Sequence, residues 1–508
     1  MAEMPEKAVS GPSSTNEAPA DWPTGWKYRV RRIGPFTIPH YASPQIQLVI
    51  VSLVCFMCPG MFNALGGIGG GGQVDKTAAD DANVALYSTF AVVGFFAGSI
   101  ANVLGVKFAL SFGGLGYSIY VASFLSYSHN ANKGFTIFAG FFLGLCAGLL
   151  WTAQGAIMMS YPPEKSKGRY ISFFWMVFNL GAVIGALIPL GQNIHVRTNS
   201  TVSDGTYIGF LILTLIGAAM AWLLVDAHSV IRSDGSRVIL MKNPTWKTEI
   251  TGLFQTFRTD PYILFMFPMF FASNFFYTYQ FNGFNGAKFT TRTKALNNVL
   301  YWMMQIVGAY IFGFALDYQG VRRSVRARVA WIVLMVLTFA IWGGGYAYQR
   351  TYTRAETSSK TYAFTDWSDS GYVGPMFLYM FYGFYDAAFQ TCVYWYMGSL
   401  SNNGRKLANF AGFYKGMQSA GSAISFSLDG IYAISFMSFL GTCWGLLAGG
   451  LVLALPLIWF KIKDSVPLTD DLQFSDETVA DVAPTHIAHA PTVSKGATLE
   501  DATTTEKA

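Results

Sequence analysis

Two charged residues lie inside long apolar runs of this 508-residue chain: Asp386 in FYGFYDAAFQ (381–390) and Lys415 in FAGFYKGMQSAG (410–421). A carboxylate can bind a proton or a cation, and an ammonium beside it can hold it ionised. Each costs about 2.5–3.5 kcal/mol in mid-membrane on insertion scales, so charges there are paired or kept for a use. If the tenth span ends near residue 397 and the eleventh starts near 406, both lie about 14–17 Å from the same membrane face at 1.5 Å rise per residue. Adjacent antiparallel helices could pair them, or both could face a central cavity. An opening pair would let Asp386 take a proton or cation; a permanently closed one would only tie two helices together.

Uncharged polar residues extend this set: Asn63, Gln154, Asn274, Gln280 and Gln390, with Trp151, Tyr277, Tyr279 and Tyr385 close by in sequence. Amides, hydroxyls and ring faces suit neutral or cationic ligands through hydrogen bonds and cation–π contact. The same groups also serve as interhelical hydrogen bonds. Gly67, Gly69 and Gly72 spell G-x-G-x-x-G inside GMFNALGGIGGGGQVD (60–75). A dinucleotide site needs a preceding strand and a following helix in a βαβ unit. Here the run follows an apolar span, so a tight turn leaving the first helix is expected, acting as a gate or a partner-docking loop.

The elements that must carry these residues are membrane spans. The chain is 52% hydrophobic and only 12% charged, against roughly 25% charge in an ordinary globular protein. A hydrocarbon core needs about 20 apolar residues per helix. Twelve such runs centre near 45–65, 83–103, 107–126, 135–160, 169–190, 206–225, 261–280, 296–316, 327–348, 374–398, 407–428 and 432–462. The expectation is an all-α polytopic membrane protein with about twelve transmembrane helices. Its organisation reads as an N-terminal tail (1–44), a first six-helix half (45–225), a central loop (226–260), a second six-helix half (261–462) and a disordered acidic tail (463–508).

With the N-terminus in the cytosol, the inner flanks hold more than twice as many Lys/Arg as the outer loops, which places both termini inside. No apolar run opens the chain, so the first span reads as a retained signal anchor. The sequon Asn199-Ser200-Thr201 then falls in an outer loop, where Asn199 is a candidate glycosylation site. All five cysteines lie in apolar runs and all six histidines in tails or loops. Neither a metal site nor a cofactor is expected, nor a nucleic-acid partner, and no H-E-x-x-H, G-x-S-x-G or Walker motif suggests an enzyme.

Two inner loops repeat one pattern. Gly98, Asn102, Gly105 and Lys107 align with Gly313, Asp317, Gly320 and Arg322, the second copy adding Arg323. A carboxylate ending a span can hydrogen-bond a neighbouring helix N-terminus and pair with the loop arginines, latching the inner side. The first copy has an amide in place of the acid.

This pair of loops resembles the G-x-x-x-D-x-x-G-R-[KR] motif of the major facilitator superfamily. Three further segments, CPGMFNALGGIGGGGQ (58–73), GLLWTAQGAIMMSYPPEKSKGRYISFFWMVFNLGAVIGALIPL (148–190) and YTYQFNGFNGAKFTTRTKALNNVLYWMMQIVGA (277–309), resemble its Unc-ninety-three-like branch. The resemblance covers residues 40 to 462. It implies twelve helices in two halves, with the first, fourth, seventh and tenth spans lining a central cavity. It leaves function open, because members are described as potassium-channel regulators, receptor-trafficking factors and transporters. Two readings follow: a carrier of a small solute or ion working by alternating access, or a non-transporting regulator that binds another membrane protein. The carrier reading assigns Asp386, Lys415, Asn63, Gln154, Gln280, Tyr385 and Gln390 to the pathway.

Overall fold

The computed structural model describes residues 24–464 apart from 35, 74–75, 163–165, 199–200, 233–245, 360 and 402–403. Asn199 and the tail beyond 464 lie outside the described residues.

Twelve membrane-crossing units follow a short antiparallel hairpin, β1 (Arg31–Ile33) and β2 (Phe36–Ile38). The first unit is broken at Cys58 into α1 (Pro44–Met57) and α2 (Pro59–Gly67), because Pro59 has no N–H to continue the ladder. Next come α3 (Thr77–Leu104), α4 (Val106–Asn130), α5 (Lys133–Ser160), α6 (Lys167–Asn193) and α7 (Asp204–Met220). Between the halves, α8 (Trp246–Thr259) occupies a stretch that was expected to be plain loop. Its apolar residues recur at helical spacing, and Phe257 stacks on Phe413 with ring centres 4.1 Å apart.

The seventh unit is irregular: a 3₁₀ turn (Pro261–Met266), α9 (Phe267–Ala272), α10 (Phe276–Thr278) and a π-helix (Tyr279–Gly286). The polar, Gly-containing YQFNGFNG reads as the end of a span, yet it continues as wide helix, since its amides find partners in the first half. The remaining units are α11 (Thr291–Leu316), α12 (Arg323–Gln349), α14 (Val373–Leu400), α15 (Gly404–Gly430) and α16 (Phe436–Phe460), with the single turn α13 (Arg354–Thr357) between α12 and α14.

Among the described residues, eight units are long and apolar enough to cross a membrane by composition alone. Of the other four, the seventh unit is broken into short pieces and α14 and α15 carry polar residues at mid-depth, while α3 holds an uncharged apolar stretch from Val84 to Ala101.

The halves meet along two long seams, α3 on α15 and α6 on α11. A Cβ on Gly94 of α3 would stand 3.1 Å from the backbone nitrogen of Gly416 on α15, so these helices touch backbone to backbone. At the end of the bundle opposite the termini, the glycine run docks on the π-helix. Gly69, Gly70, Gly71 and Gly72 all have positive φ, which L-residues with a Cβ adopt only at a cost. The Gly70 N–H donates to Asn282 Oδ1 (3.1 Å), and Asn285 Nδ2 donates to the Gly67 carbonyl (3.0 Å). A Cβ on Gly69 would lie 2.8 Å from the Phe281 carbonyl oxygen.

Gly69→Ala should therefore lower the apparent melting temperature of the purified protein by several degrees, with about 1–2 kcal/mol arising from the left-handed backbone alone. Gly66→Ala is the control, having an ordinary φ and nothing within 4 Å of the added carbon. Equal melting temperatures for the two variants would show that the docked turn does not matter to the fold.

Candidate functional site at the centre of the bundle

A cavity of about 50 Å³ lies between the halves, walled by Asn63 of α2, Trp151 of α5, Trp175 of α6, and Gln390, Lys415 and Gln418 of the second half. At about 10–15 Å³ per water it has room for three to five waters. Lys415 stands mid-way along α15 and is 4% exposed. Its Nζ donates to Gln418 Oε1 (2.9 Å) and faces the rings of Trp151, Tyr414 and Tyr394 at 4.5, 5.0 and 5.6 Å from their centres. Trp151 belongs to the first half and both tyrosines to the second, so this ammonium is held jointly by both bodies.

Asp386, fully buried mid-way along α14, lies behind the cavity wall and does not touch Lys415. Tyr277 Oη donates to its Oδ2 (2.7 Å), Gln390 Nε2 to its Oδ1 (2.7 Å), and Gln305 Nε2 also to Oδ2. The Tyr301 hydroxyl stands 3.2 Å from Asp386 Oδ2 and 2.8 Å from Gln280 Oε1. Neither of the two arrangements left open by the sequence holds as stated, since the charges do not pair directly and only Lys415 lines the cavity. The two charges are connected through amides: Lys415 to Gln418 at 2.9 Å, Gln418 Nε2 to Gln390 Oε1 at 3.3 Å, and Gln390 Nε2 to Asp386 at 2.7 Å. Asn274 Oδ1 accepts from Gln418 Nε2 (2.9 Å) and so braces the bridge.

The other sequence candidates divide. Asn63 and Gln390 line the cavity. Tyr385 does not, because it follows a helical period that turns it away from its neighbour Asp386; its hydroxyl meets Thr338 Oγ1 of α12 (2.6 Å). Gln154 is buried, its Nε2 on Met158 Sδ at 3.4 Å and its Oε1 without a partner. Gln280 supports Tyr301 rather than facing the cavity. Gln418 and Gln305 went unnoticed in the sequence because they lie on the eleventh and eighth spans, outside the four that the family resemblance assigns to the cavity.

At the end opposite the termini, a second polar cluster joins the halves. Lys76 Nζ lies 2.6 Å from Asp429 Oδ2, and Arg354 Nη2 lies 2.6 Å from Asp429 Oδ1. Asn282 Nδ2 donates to both Asp80 Oδ1 (2.8 Å) and Asp429 Oδ2 (2.9 Å). Asp80 and Lys76 come from the first half, the rest from the second. A few residues away, Arg292 pairs with Asp366 and lies over Trp367 (4.6 Å). The guanidinium holds the Asp366 carboxyl well below the usual carboxylate range.

At the termini end, Asp317 Oδ2 accepts the backbone N–H of Arg169 (2.8 Å) in the first turn of α6. The loop arginines are elsewhere than the latch scheme expects: Arg322 caps α12, and Arg323 Nε donates to the Lys463 carbonyl (2.9 Å). They turn to the segment after α16, where the backbone N–H and hydroxyl of Ser324 hold the Asp464 carboxyl below its ordinary value. In the first copy, Lys107 pairs with Asp226 (3.0 Å) inside its own half. The side chain of Asn102 lies outside the described residues.

Two six-helix halves meet around a central polar site, and residues 46–351 match the family model of the Major Facilitator Superfamily. The chain belongs to that superfamily and, within it, to the UNC93-like proteins. It is 52% identical over 440 residues to an UNC93-like protein of Schizosaccharomyces pombe, covering 87% of each chain. UNC93-like protein 1 of Arabidopsis thaliana is 42% identical over 84% of this chain and 92% of its own. Among solved structures, the E. coli fucose:proton symporter superposes with a TM-score of 0.56 at 13% identity, covering 84% of this chain and 100% of that one. A proton:xylose symporter gives 0.56 at 11% identity, over 83% and 97%. At these identities the likeness concerns the fold alone.

Asp429→Asn weakens the clasp on Lys76 and Arg354 together. In an Asn63→Cys background, where the five native cysteines are all buried, labelling by a bulky hydrophilic maleimide should rise several-fold on adding this change. An unchanged labelling rate would mean that the cluster does not hold the cavity shut.

Proposed function

We propose that the protein carries a small polar solute or ion across the membrane by alternating access. In this reading residues 45–225 and 261–462 are the rocking bodies and both termini face the cytosol. The observation that carries it is the double holding of Lys415. Its ammonium rests on Trp151 of the first half and on Tyr414, Tyr394 and Gln418 of the second. Any rocking that opens the cavity breaks one of these contacts. The change reaches Asp386 through Gln418 and Gln390, because an ammonium that loses its partners in low dielectric must find new ones. Asp386 thereby becomes the group that takes up a proton or cation when the bridge opens, and Lys415 the counter-charge that restores it. Clusters at both ends supply what alternation requires, since each crosses the seam and each is built of bonds that water can replace.

Reconstitution in liposomes tests this. Uptake of labelled solutes, potassium and protons, measured over a broad panel, should reveal at least one that Asp386→Asn and Lys415→Ala each reduce at least tenfold in normally inserted protein. Full activity in both variants would remove the coupling role. Silence across the panel, with a membrane protein co-purifying stoichiometrically, would favour the regulator reading instead.

A further inference from the structure

The chemistry lining the central cavity is one-sided. Among its lining residues the only formal charge is the ammonium of Lys415. Asp386 is not part of the wall, and its oxygens are already taken by Tyr277, Gln390 and Gln305.

Of the four amide oxygens at the wall, three are likewise committed, while the Asn63 amide offers a donor and an acceptor alike. Asn274 Oδ1 accepts from Gln418 and Gln390, Gln418 Oε1 from Lys415, and Gln390 Oε1 from Gln418 and Tyr414. Donors, in contrast, are left over. Trp175 lines the cavity and is 4% exposed, and its Nε1 is buried with no hydrogen-bond partner. The Tyr117 hydroxyl accepts from Trp151 Nε1 (3.0 Å), leaving its own proton to give. Lys415 uses one of its three N–H groups on Gln418.

The aromatic cage that would suit a cationic ligand is also taken. Trp151, Tyr394 and Tyr414 already face the Lys415 ammonium, so an incoming cation would meet a like charge in low dielectric. An incoming anion would meet the reverse: a direct ion pair in place of a bridge through two amides, plus the idle Trp175 and Tyr117 donors.

We propose that the ligand of this cavity is a small anion of a few non-hydrogen atoms, bound directly by Lys415 with Trp175 as a second donor. This deepens the carrier reading and rests on the cavity being its transport site. The size follows from room for three to five waters, and the sign follows from the surplus of donors.

Three probes of five non-hydrogen atoms each separate charge from shape: methanesulfonate, neutral methanesulfonamide and cationic tetramethylammonium. Their binding to the full-length purified protein is read by tryptophan fluorescence and calorimetry, and their uptake is read in proteoliposomes. Methanesulfonate should bind at least tenfold more tightly than either counterpart. Lys415→Gln should abolish that preference, and Trp175→Phe, which deletes the N–H and keeps an aromatic ring, should weaken methanesulfonate several-fold while leaving the melting temperature nearly unchanged. Equal affinity for the sulfonamide, no binding of the sulfonate, or sulfonate binding untouched in Lys415→Gln would each overturn the proposal. The two readings can fail separately. Asp386-dependent uptake of a neutral or cationic solute without sulfonate binding would sink the anion site and keep the carrier. Lys415-dependent sulfonate binding with no flux of any solute would keep the anion site and sink the carrier.

Discussion

An ammonium and a carboxylate buried half-way across a membrane must each be stabilised close at hand, and here they are stabilised without touching. Lys415 and Asp386 are joined through Gln418 and Gln390, with Asn274 bracing the two amides. Removing either charge leaves the other buried without its counter-charge. The arrangement of α14 and α15 follows from this constraint. Both put polar residues at mid-depth facing each other and the irregular seventh unit; α14 is rich in tyrosine and α15 adds Tyr414, whose rings bury apolar area while their hydroxyls join the network.

The irregular seventh unit serves both ends of the same design. Its middle supplies Asn274 and Tyr277 to the central bridge, and its π-helix supplies Asn282 and Asn285 to the glycine turn and the outer cluster. A π-helix widens the turn and lets consecutive amides point in several directions. The four positive-φ glycines on the facing chain have no side chains to obstruct that approach. Because Asn282 contacts Gly70, Asp80 and Asp429 at once, the seam at the end opposite the termini and the centre are linked by one continuous element rather than by loops.

Much of the fold was legible because the apolar runs are long: the twelve units sit close to the stretches that hydropathy marks. The exceptions have physical causes. Helices α14 and α15 are the weakest spans on composition, since the amides and charged groups they carry are satisfied by neighbouring helices, which a hydropathy sum cannot register. Asp429 and Asp80 fall just beyond the expected span ends, where hydropathy gives no sign of burial, yet both are buried. At the site, Asp386, Lys415, Gln390 and Asn63 could be picked out as polar groups in apolar surroundings. That Tyr385 faces α12, that Gln418 completes the bridge, and that the loop arginines serve the segment after α16 depended on helix rotation and packing, to which a single sequence gives no register. The glycine run shows the same limit. Its spacing spells a nucleotide motif, and only its contact with the π-helix reveals an inter-half clasp.

The central claim is that Asp386 and Lys415 act as one electrostatic unit across two amides. A double-mutant cycle on thermal stability measures this most directly, comparing Asp386→Asn, Lys415→Gln and the combination in purified protein. Each single change strands a buried charge, so the account requires strong non-additivity, with the double variant more stable than at least one single variant and a coupling in the range of about 0.5–3 kcal/mol. Simply additive losses would mean that the two charges are stabilised independently, and the bridge through Gln390 and Gln418 would then be packing without coupling.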